Sequence, residues 1–224
     1  RDLFSMVERI APTDSTVFVT GESGCGKELI ARAIHDGSQR NNSQFVAVNC
    51  SAFTEGLLES ELFGHIKGAF TGAVEERKGV FLSANGGTLF LDEVADMSLS
   101  TQVRILRALE DRRVVPVGGD VEIETDVRII AATNKDLEKE VREGRFREDL
   151  YYRLNVIPLH LPPLRDRKED LPLLAGHFIR RHAEAMGKPV KGLSETAYST
   201  LAGHDWPGNV RELENVIQRH VALS

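Results

Sequence analysis

Basic charge, cysteine and long apolar runs are all scarce in this 224-residue chain, and each shortage removes a class of function. Lys and Arg total 28 against 34 Asp and Glu, so the formal charge is -6 and the chain as a whole lacks the electrostatic footprint of a nucleic-acid binder. Any DNA contact is expected only through a domain outside these residues. No stretch approaches the roughly 20 consecutive apolar residues of a membrane-spanning helix, and the start, Arg1-Asp2-Leu3-Phe4, has no features of a secretion signal. A cytoplasmic location with no membrane partner is expected. The two cysteines, Cys25 and Cys50, stand in a glycine-rich loop and at a strand end, a poor framework for a disulfide, and both read as reduced thiols. The seven histidines show no metal-ligand spacing with them, and His65, His160, His177, His182 and His204 read as packing or surface residues. Nucleophile elbows, Cys/His pairs, internal repeats and low-complexity segments are missing as well.

What is present is an ordinary globular composition, 41% hydrophobic and 28% charged, over a length that fits one large domain or one domain with a small appendage. Starting and stopping without tails, the chain reads as a piece of a longer protein. Apolar strand-like runs alternate with helical patterns. Val17-Phe18-Val19-Thr20 precedes a helix from Lys27 with Leu29, Ile30, Ala33 and Ile34 on one side, and Phe45-Val46-Ala47-Val48 follows. Then come Thr88-Leu89-Phe90-Leu91, a helix carrying Val103, Leu106 and Leu109, Val127 to Ala131, and Val156 to Leu159. Such alternation predicts an α/β fold with a mostly parallel five-stranded sheet covered by helices on both faces. Arg113 to Val117 and Val121 to Glu124 flank Gly118-Gly119-Asp120 and predict an inserted β-hairpin.

Two prolines at Leu161-Pro162-Pro163-Leu164 interrupt regular structure, and the domain boundary is placed there, giving an α/β domain at 1–164 and a small all-helical lid at 165–224. In the lid, Asp170 is expected to cap a helix ending near Gly187 and Ser194 a second. Asn209 with Glu212 is expected to form a capping box opening a third after the Trp206-Pro207-Gly208 turn.

The chemistry concentrates in two motifs. Gly21-Glu22-Ser23-Gly24-Cys25-Gly26-Lys27 follows a strand and opens a helix, the context of a phosphate-binding loop whose backbone N–H groups converge on phosphate oxygens while Lys27 reaches the β and γ phosphates. Glu28 stands where a Ser or Thr usually meets magnesium, which moves the metal's support elsewhere. Thr88-Leu89-Phe90-Leu91-Asp92-Glu93 supplies it: a buried strand delivers two carboxylates to its C-terminal end, where open parallel sheets place ligands. Asp92 is expected to hold Mg²⁺ through water and Glu93 to polarise an attacking water. Asn49 and Thr133-Asn134 stand at strand ends in the same sheet, and Asn134 can reach the γ-phosphate or the water. Arg145, Arg147, Arg153, Arg165 and Arg167 cluster near the end of the large domain; each alone reads as a solvated surface residue, yet a ring-shaped ATPase would present some of them in trans. Arg211 can contact the nucleotide from the lid.

Between the two motifs lies Gly68-Ala69-Phe70-Thr71-Gly72-Ala73. Two glycines allow a tight turn, and local physics permits two placements for Phe70, the tip of that turn or the core.

In order along nearly the whole chain, GESGCGKE, GAFTGA, GGTLFLDE, AATN, FREDLYYRLNVIPLHLPPLRDR and WPGNVREL resemble the central AAA+ domain of bacterial enhancer-binding proteins, which activate transcription by RNA polymerase carrying the sigma-54 type of sigma factor. The hexapeptide at 68–73 is the most specific of these motifs. The resemblance implies ATP and Mg²⁺ as cofactors, and a loop of Gly21, Glu22, Ser23, Gly24, Cys25, Gly26, Lys27 and Glu28 around the nucleotide. It implies a hydrolytic core of Lys27, Asp92 and Glu93, with Asn134 as first sensor and Asn49 as the switch relaying the γ-phosphate's state to Glu93. It makes Arg147 and Arg153 arginine fingers across a subunit interface in a hexameric ring, and Arg211 the second sensor on the lid. The loop at about 64–76, with Phe70 and Thr71 central, would contact the sigma factor, and the hairpin at about 113–124 would move with it.

Two positions depart from the family's pattern: Ile66 and Leu82 stand where glutamates are expected, so loop control is expected to rest on packing instead of charge. The chain also begins later than the family's domain, which removes residues that help enclose the adenine and lowers the expected ATP affinity. Two other readings share the motifs. One is an AAA+ remodeller with a different target; the other is a non-hydrolysing, nucleotide-gated regulatory module, against which Asp92, Glu93, Arg147 and Arg153 all argue.

Overall fold

In the computed structural model, which describes residues 2–190 and 192–224, the chain forms two compact units. One comprises Arg1–Thr20 and Glu28–Leu159, the other Gly21–Lys27 and His160–Ser224. The expected boundary at 164 thus lies a few residues past the start of the second unit, and the glycine-rich loop belongs with the lid helices.

The chain begins with α1 (Asp2–Ile10), β1 (Val17–Thr20), α2 (Lys27–Asp36), β2 (Phe45–Asn49) and α3 (Glu55–Phe63), followed by two short strands, β3 (Gly64–His65) and β4 (Arg77–Lys78), and the single turn α4 (Val80–Ser83). It continues through β5 (Thr88–Asp92), α5 (Leu99–Asp111), the hairpin strands β6 (Arg113–Val114) and β7 (Ile123–Glu124), β8 (Arg128–Thr133), α6 (Leu137–Arg142), α7 (Glu148–Leu154) and β9 (Ile157–His160). The lid adds α8 (Leu171–Met186), α9 (Glu195–Gly203) and α10 (Asn209–Leu223).

The five longer strands make one sheet in the order β2-β5-β8-β1-β9. The β2–β5, β5–β8 and β1–β8 pairs are all parallel, as the alternation of strand and helix predicts. β8 lies in the middle and is buried at all six positions, which its run of Ile129, Ile130, Ala131 and Ala132 suits. Phe18, Leu89, Leu91, Ile105, Ile129 and Leu150 share the core of this unit. Register sets the site: Asn49 pairs with Asp92, and Thr20 pairs with Thr133, so the candidate residues line one carboxyl edge of the sheet.

Several expectations shift. Leu29 is 69% exposed; the buried side of α2 is formed by Lys27, Ala31, Ile34 and His35, spaced at i, i+4, i+7 and i+8, and Leu29 falls roughly 200° from Lys27 at 100° per residue. In α5 the buried face runs through Thr101, Gln102, Ile105, Leu106 and Ala108, leaving Val103 and Leu109 at its margin. The hairpin ladder holds only two residue pairs, Arg113 with Glu124 and Val114 with Ile123. Pro116 has no N–H to extend it, and Val117 instead forms an isolated parallel bridge with His65.

The lid core gathers Leu164, Leu171, Phe178, Ile179, Trp206, Leu213 and Ile217. Gly187 ends α8 at φ 62°, and Ser194 caps α9 by accepting from Ala197 N–H. Asp170 occupies the N-cap position of α8 but its side chain makes no capping bond, because a 3₁₀ turn at Lys168–Asp170 already gives it helical angles. The capping box is displaced by one residue: Gly208 is the N-cap of α10, and its N–H is bound by Glu212 Oε2 at 2.8 Å. Asn209 is freed for another task.

Candidate active site and projecting loop

The glycine-rich loop takes angles that only glycine reaches easily: φ is 154° at Gly21, 76° at Gly24 and 104° at Gly26. A Cβ added at Gly24 would lie 2.5 Å from the carbonyl oxygen of Gly208 and 3.1 Å from Arg211 Cβ, so close approach forbids a side chain as well. Lys27 is 6% exposed and its Nζ donates to Gly21 O at 3.1 Å, folding the ammonium back over the loop. Lys27 is also the first residue of α2, so the loop runs directly into a helix start along the chain. Lid residues of the same unit hold the loop. Arg165 donates to both carboxylate oxygens of Glu22 at 2.9 and 2.6 Å, Arg167 donates to Cys25 O at 2.8 Å, and Arg211 Nη1 donates to Ser23 Oγ at 3.4 Å. The Arg165 hydrogen bonds, helped by Asn209, lower the Glu22 pKa from 4.5 to about 2. Burial pushes the Cys25 thiol up, and burial with the charge of Asp92 pushes the Cys50 thiol to about 12; both are free, as expected.

At the carboxyl edge of the sheet, Asp92 Oδ1 accepts from Glu93 N–H at 3.0 Å. Glu93 adopts φ 52° and ψ 49°, a left-handed conformation that costs a non-glycine residue about 1–2 kcal/mol and turns its side chain out of the strand. Glu93 Oε2 accepts from the backbone N–H of Asn134 at 3.0 Å, which joins the expected base to the expected sensor segment. Asn49 sits beside Asp92 in register, with its Oδ1 accepting from Ser51 N–H and Oγ–H at 2.9 and 2.7 Å. Among the described residues no group of three or more His, Cys, Asp and Glu side chains could hold a metal alone. Asp92 fits Mg²⁺ as that ion is usually held, through one or two carboxylates, waters and the phosphates of a nucleotide.

The expected fingers stand at the N-cap and in the last turn of α7. Arg147 is its N-cap residue, exposed and paired with Asp149 at 2.6 and 3.0 Å, which raises the arginine's pKa and lowers the aspartate's. Arg153, also exposed, donates to Leu109 O at 2.8 Å. Arg145 is bound instead to Glu140 and Glu143 within the chain. Sequence reasoning missed Gln102. Fully buried in α5, its Nε2 donates to Met97 O and Arg145 O at 2.8 and 3.0 Å, and its Oε1 accepts from Arg147 N–H at 2.9 Å. It fixes the backbone that carries the arginines; the one signal was a polar residue on the apolar face of a helix.

Gly68 (φ 83°) and Gly72 (φ 107°) form the projecting turn, closed by Gly68 N–H to Ala73 O at 2.8 Å. An added Cβ would touch nothing at either position, so these glycines serve backbone angle alone. Phe70 is 40% exposed and rests edge-on against His65, 5.0 Å between ring centres; it stands at the tip of the turn and outside the core. His65 shares a 2.7 Å hydrogen bond with Ser60. Ile66 donates its N–H to Val117 O at 3.1 Å, and its side chain lies beside Gly118 and Gly119. Aliphatic packing between the two loops therefore occupies the place where a charge was expected. Leu82 packs partly buried against the core.

A phosphate loop after the first strand, an acidic strand end beside the central strand, this strand order and a three-helix lid together define an AAA+ ATPase fold. The chain belongs to the sigma-54 interaction domain family, whose pattern it matches over residues 1–160, with an AAA+ ATPase lid domain matching residues 165–224. It is 56% identical to the transcriptional regulatory protein ZraR of Escherichia coli K12 over 221 residues, 99% of this chain and 50% of that protein. It is 54% identical to the DNA-binding transcriptional regulator NtrC of Rhizobium meliloti, covering 100% of this chain and 46% of the relative. The crystal structure of NtrX from Brucella abortus in complex with ATP superimposes with a TM-score of 0.91 at 44% identity, over 99% of this chain and 50% of that one. The chain thus spans about half the length of the curated relatives it matches. Among the described residues no helix is long and apolar enough to cross a membrane.

Proposed function

We propose that this domain binds and hydrolyses ATP and uses the cycle to engage the sigma-54 factor of RNA polymerase through the Gly68–Ala73 loop, opening closed promoter complexes. The observation that carries the reading is the glycine-rich loop, whose positive φ angles and folded-back Lys27 suit a phosphate chain. Support comes from family membership and from the ATP complex of NtrX. In this reading the loop from Gly21 to Glu28 binds the nucleotide. Asp92 would hold Mg²⁺, which would supply neutralisation of the phosphate charge. Glu93 takes a proton from the attacking water, Asn134 and Asn49 sense the γ-phosphate, and Arg211 contacts the nucleotide from the lid. Arg147 and Arg153 act in trans in a homo-oligomeric ring of six subunits, where an arginine finger contributes about 10³ to 10⁵ in rate. DNA is reached through a domain outside these residues. Phosphate release by the purified domain, measured with and without Mg²⁺ across a range of protein concentrations, tests the enzymatic half. Mg²⁺-dependent release that rises more steeply than protein concentration supports a ring ATPase, and no release at any concentration overturns it. Capture of the sigma factor in the presence of an ADP–metal-fluoride complex tests the other half, and failure there points to a different target.

A further inference from the structure

Glycine-rich loops are conformationally loose, and one that must present several N–H groups to an anion gains from being fixed before the anion arrives. Here the fixing comes from the lid. Asn209, fully buried and held at φ 51°, uses all its common amide valences: Nδ2 donates to Glu22 Oε2 and Ser23 O, both at 3.1 Å, while Oδ1 accepts from Leu164 N–H at 2.8 Å. Val210 and Arg211 donate their N–H groups to Gly24 O at 3.0 and 3.3 Å, so two of the donors that any helix leaves unmet in its first turn are satisfied by the loop. Glu22 poses an electrostatic problem that these bonds solve. It is an anion inside a loop that has to receive a second anion, and the forked contact with Arg165 neutralises it.

We infer that Arg165 and Asn209 are positioning residues for the phosphate loop, acting through Glu22: Asn209 sets the loop's path and Arg165 cancels the carboxylate charge that would otherwise oppose a nucleotide's phosphates. The inference rests on the nucleotide reading and adds residues that touch the loop and not the phosphates. Arg165 and Glu22 are both about 42% exposed at the side chain, so substituting them leaves the fold in place.

The test is titration of the chain with fluorescent N-methylanthraniloyl ATP and ADP, with circular dichroism confirming that each variant is folded. Arg165→Ala should weaken binding about tenfold, the scale on which positioning partners act. Adding Glu22→Gln to Arg165→Ala should restore much of the lost affinity, because the uncompensated charge is then gone; a merely structural contact would give no such recovery. Asn209→Ala should weaken both nucleotides in a folded protein. Unchanged affinity in Arg165→Ala, or a further loss in the double variant, overturns the inference while the nucleotide reading stands. Absence of binding by the unaltered chain overturns that reading, and the inference with it.

Discussion

Glu93 Oε2 accepts the backbone N–H of Asn134 at 3.0 Å, so the carboxylate just past β5 is steered by the residue just past β8. A backbone donor survives any change of the Asn134 side chain except proline, and it can orient the carboxylate whichever other residue occupies that position. The left-handed backbone at Glu93 is the local strain that makes the arrangement possible.

Glu93→Gln keeps an oxygen for that bond and loses the base. Hydrolysis should fall about 10²- to 10⁴-fold with nucleotide affinity retained. Phosphate release and fluorescent-nucleotide titration on the same preparation decide it, and near-normal turnover would remove Glu93 from this role.

Phe70→Ala removes the aromatic tip and its contact with His65, neither of which lies in the hydrolytic motifs. Sigma-factor capture should be lost while ATP turnover persists. Retained capture would mean the loop is not the contact.

Gly72→Ala and Gly118→Ala separate angle from space. Alanine at Gly72 meets no atom and should cost about 1–2 kcal/mol through its backbone angle alone. At Gly118, with φ 78°, the added methyl also comes 2.7 Å from Ala69 Cβ, so the penalty should be larger and proteolysis of the loop faster. Urea unfolding of the two variants side by side measures the difference; equal costs would contradict the close approach of the two loops.

Acid should loosen the lid-bearing unit through Glu22. Its folded pKa, about 2, lies below its ordinary 4.5, so its contribution is complete above 4.5 and disappears as pH falls from there toward about 2. Stability measured between about pH 5 and about pH 3 should fall less steeply in Glu22→Gln than in the unaltered chain. Parallel slopes would show that the ion pair contributes nothing to folding.

Trp206 is the chain's one tryptophan, 1% exposed, with Nε1 donating to Leu201 O at 2.9 Å. Trp206→Ala should destabilise by about 3–5 kcal/mol, as large aromatic truncations in cores do. Chemical unfolding followed by circular dichroism checks this, and a loss below 1 kcal/mol, roughly a surface substitution, would mean Trp206 is dispensable to the lid core.

The sheet, its flanking helices and the helical lid were legible because apolar period and turn residues act locally: Val17 to Thr20, Thr88 to Asp92 and Arg128 to Thr133 became strands with their polar ends where expected. What escaped depended on partners far along the chain. Leu29 was counted as core from its chemistry, but the buried face of α2 runs through Lys27 and His35, the latter bonded to Thr88 at 2.9 Å. Asn209 looked like a cap because its neighbours make a helix start; contacts with Leu164, Glu22 and Ser23 gave it other work, and Gly208 took the cap. Gln102 could not be singled out, since two of its three partners are set only once α5 meets the segment at 145–147.

The projecting loop and its companion hairpin stand on ladders two residues long, Gly64–His65 with Arg77–Lys78 and Arg113–Val114 with Ile123–Glu124, joined by the bridge from His65 to Val117 and by Ile66 and Ala69 lying beside Gly118. At a net worth of about 0.5–1.5 kcal/mol per hydrogen bond, parting such a stem costs only a few kcal/mol. The full reversal of a two-state population asks a ligand for about 5.5 kcal/mol of preference between the states, so the two scales match. Mechanical compliance is thus concentrated in the stem. The six buried positions of β8 form the firm frame beside it, and a ligand that preferred a second arrangement of the stem by that much would re-set the stem without disturbing the frame.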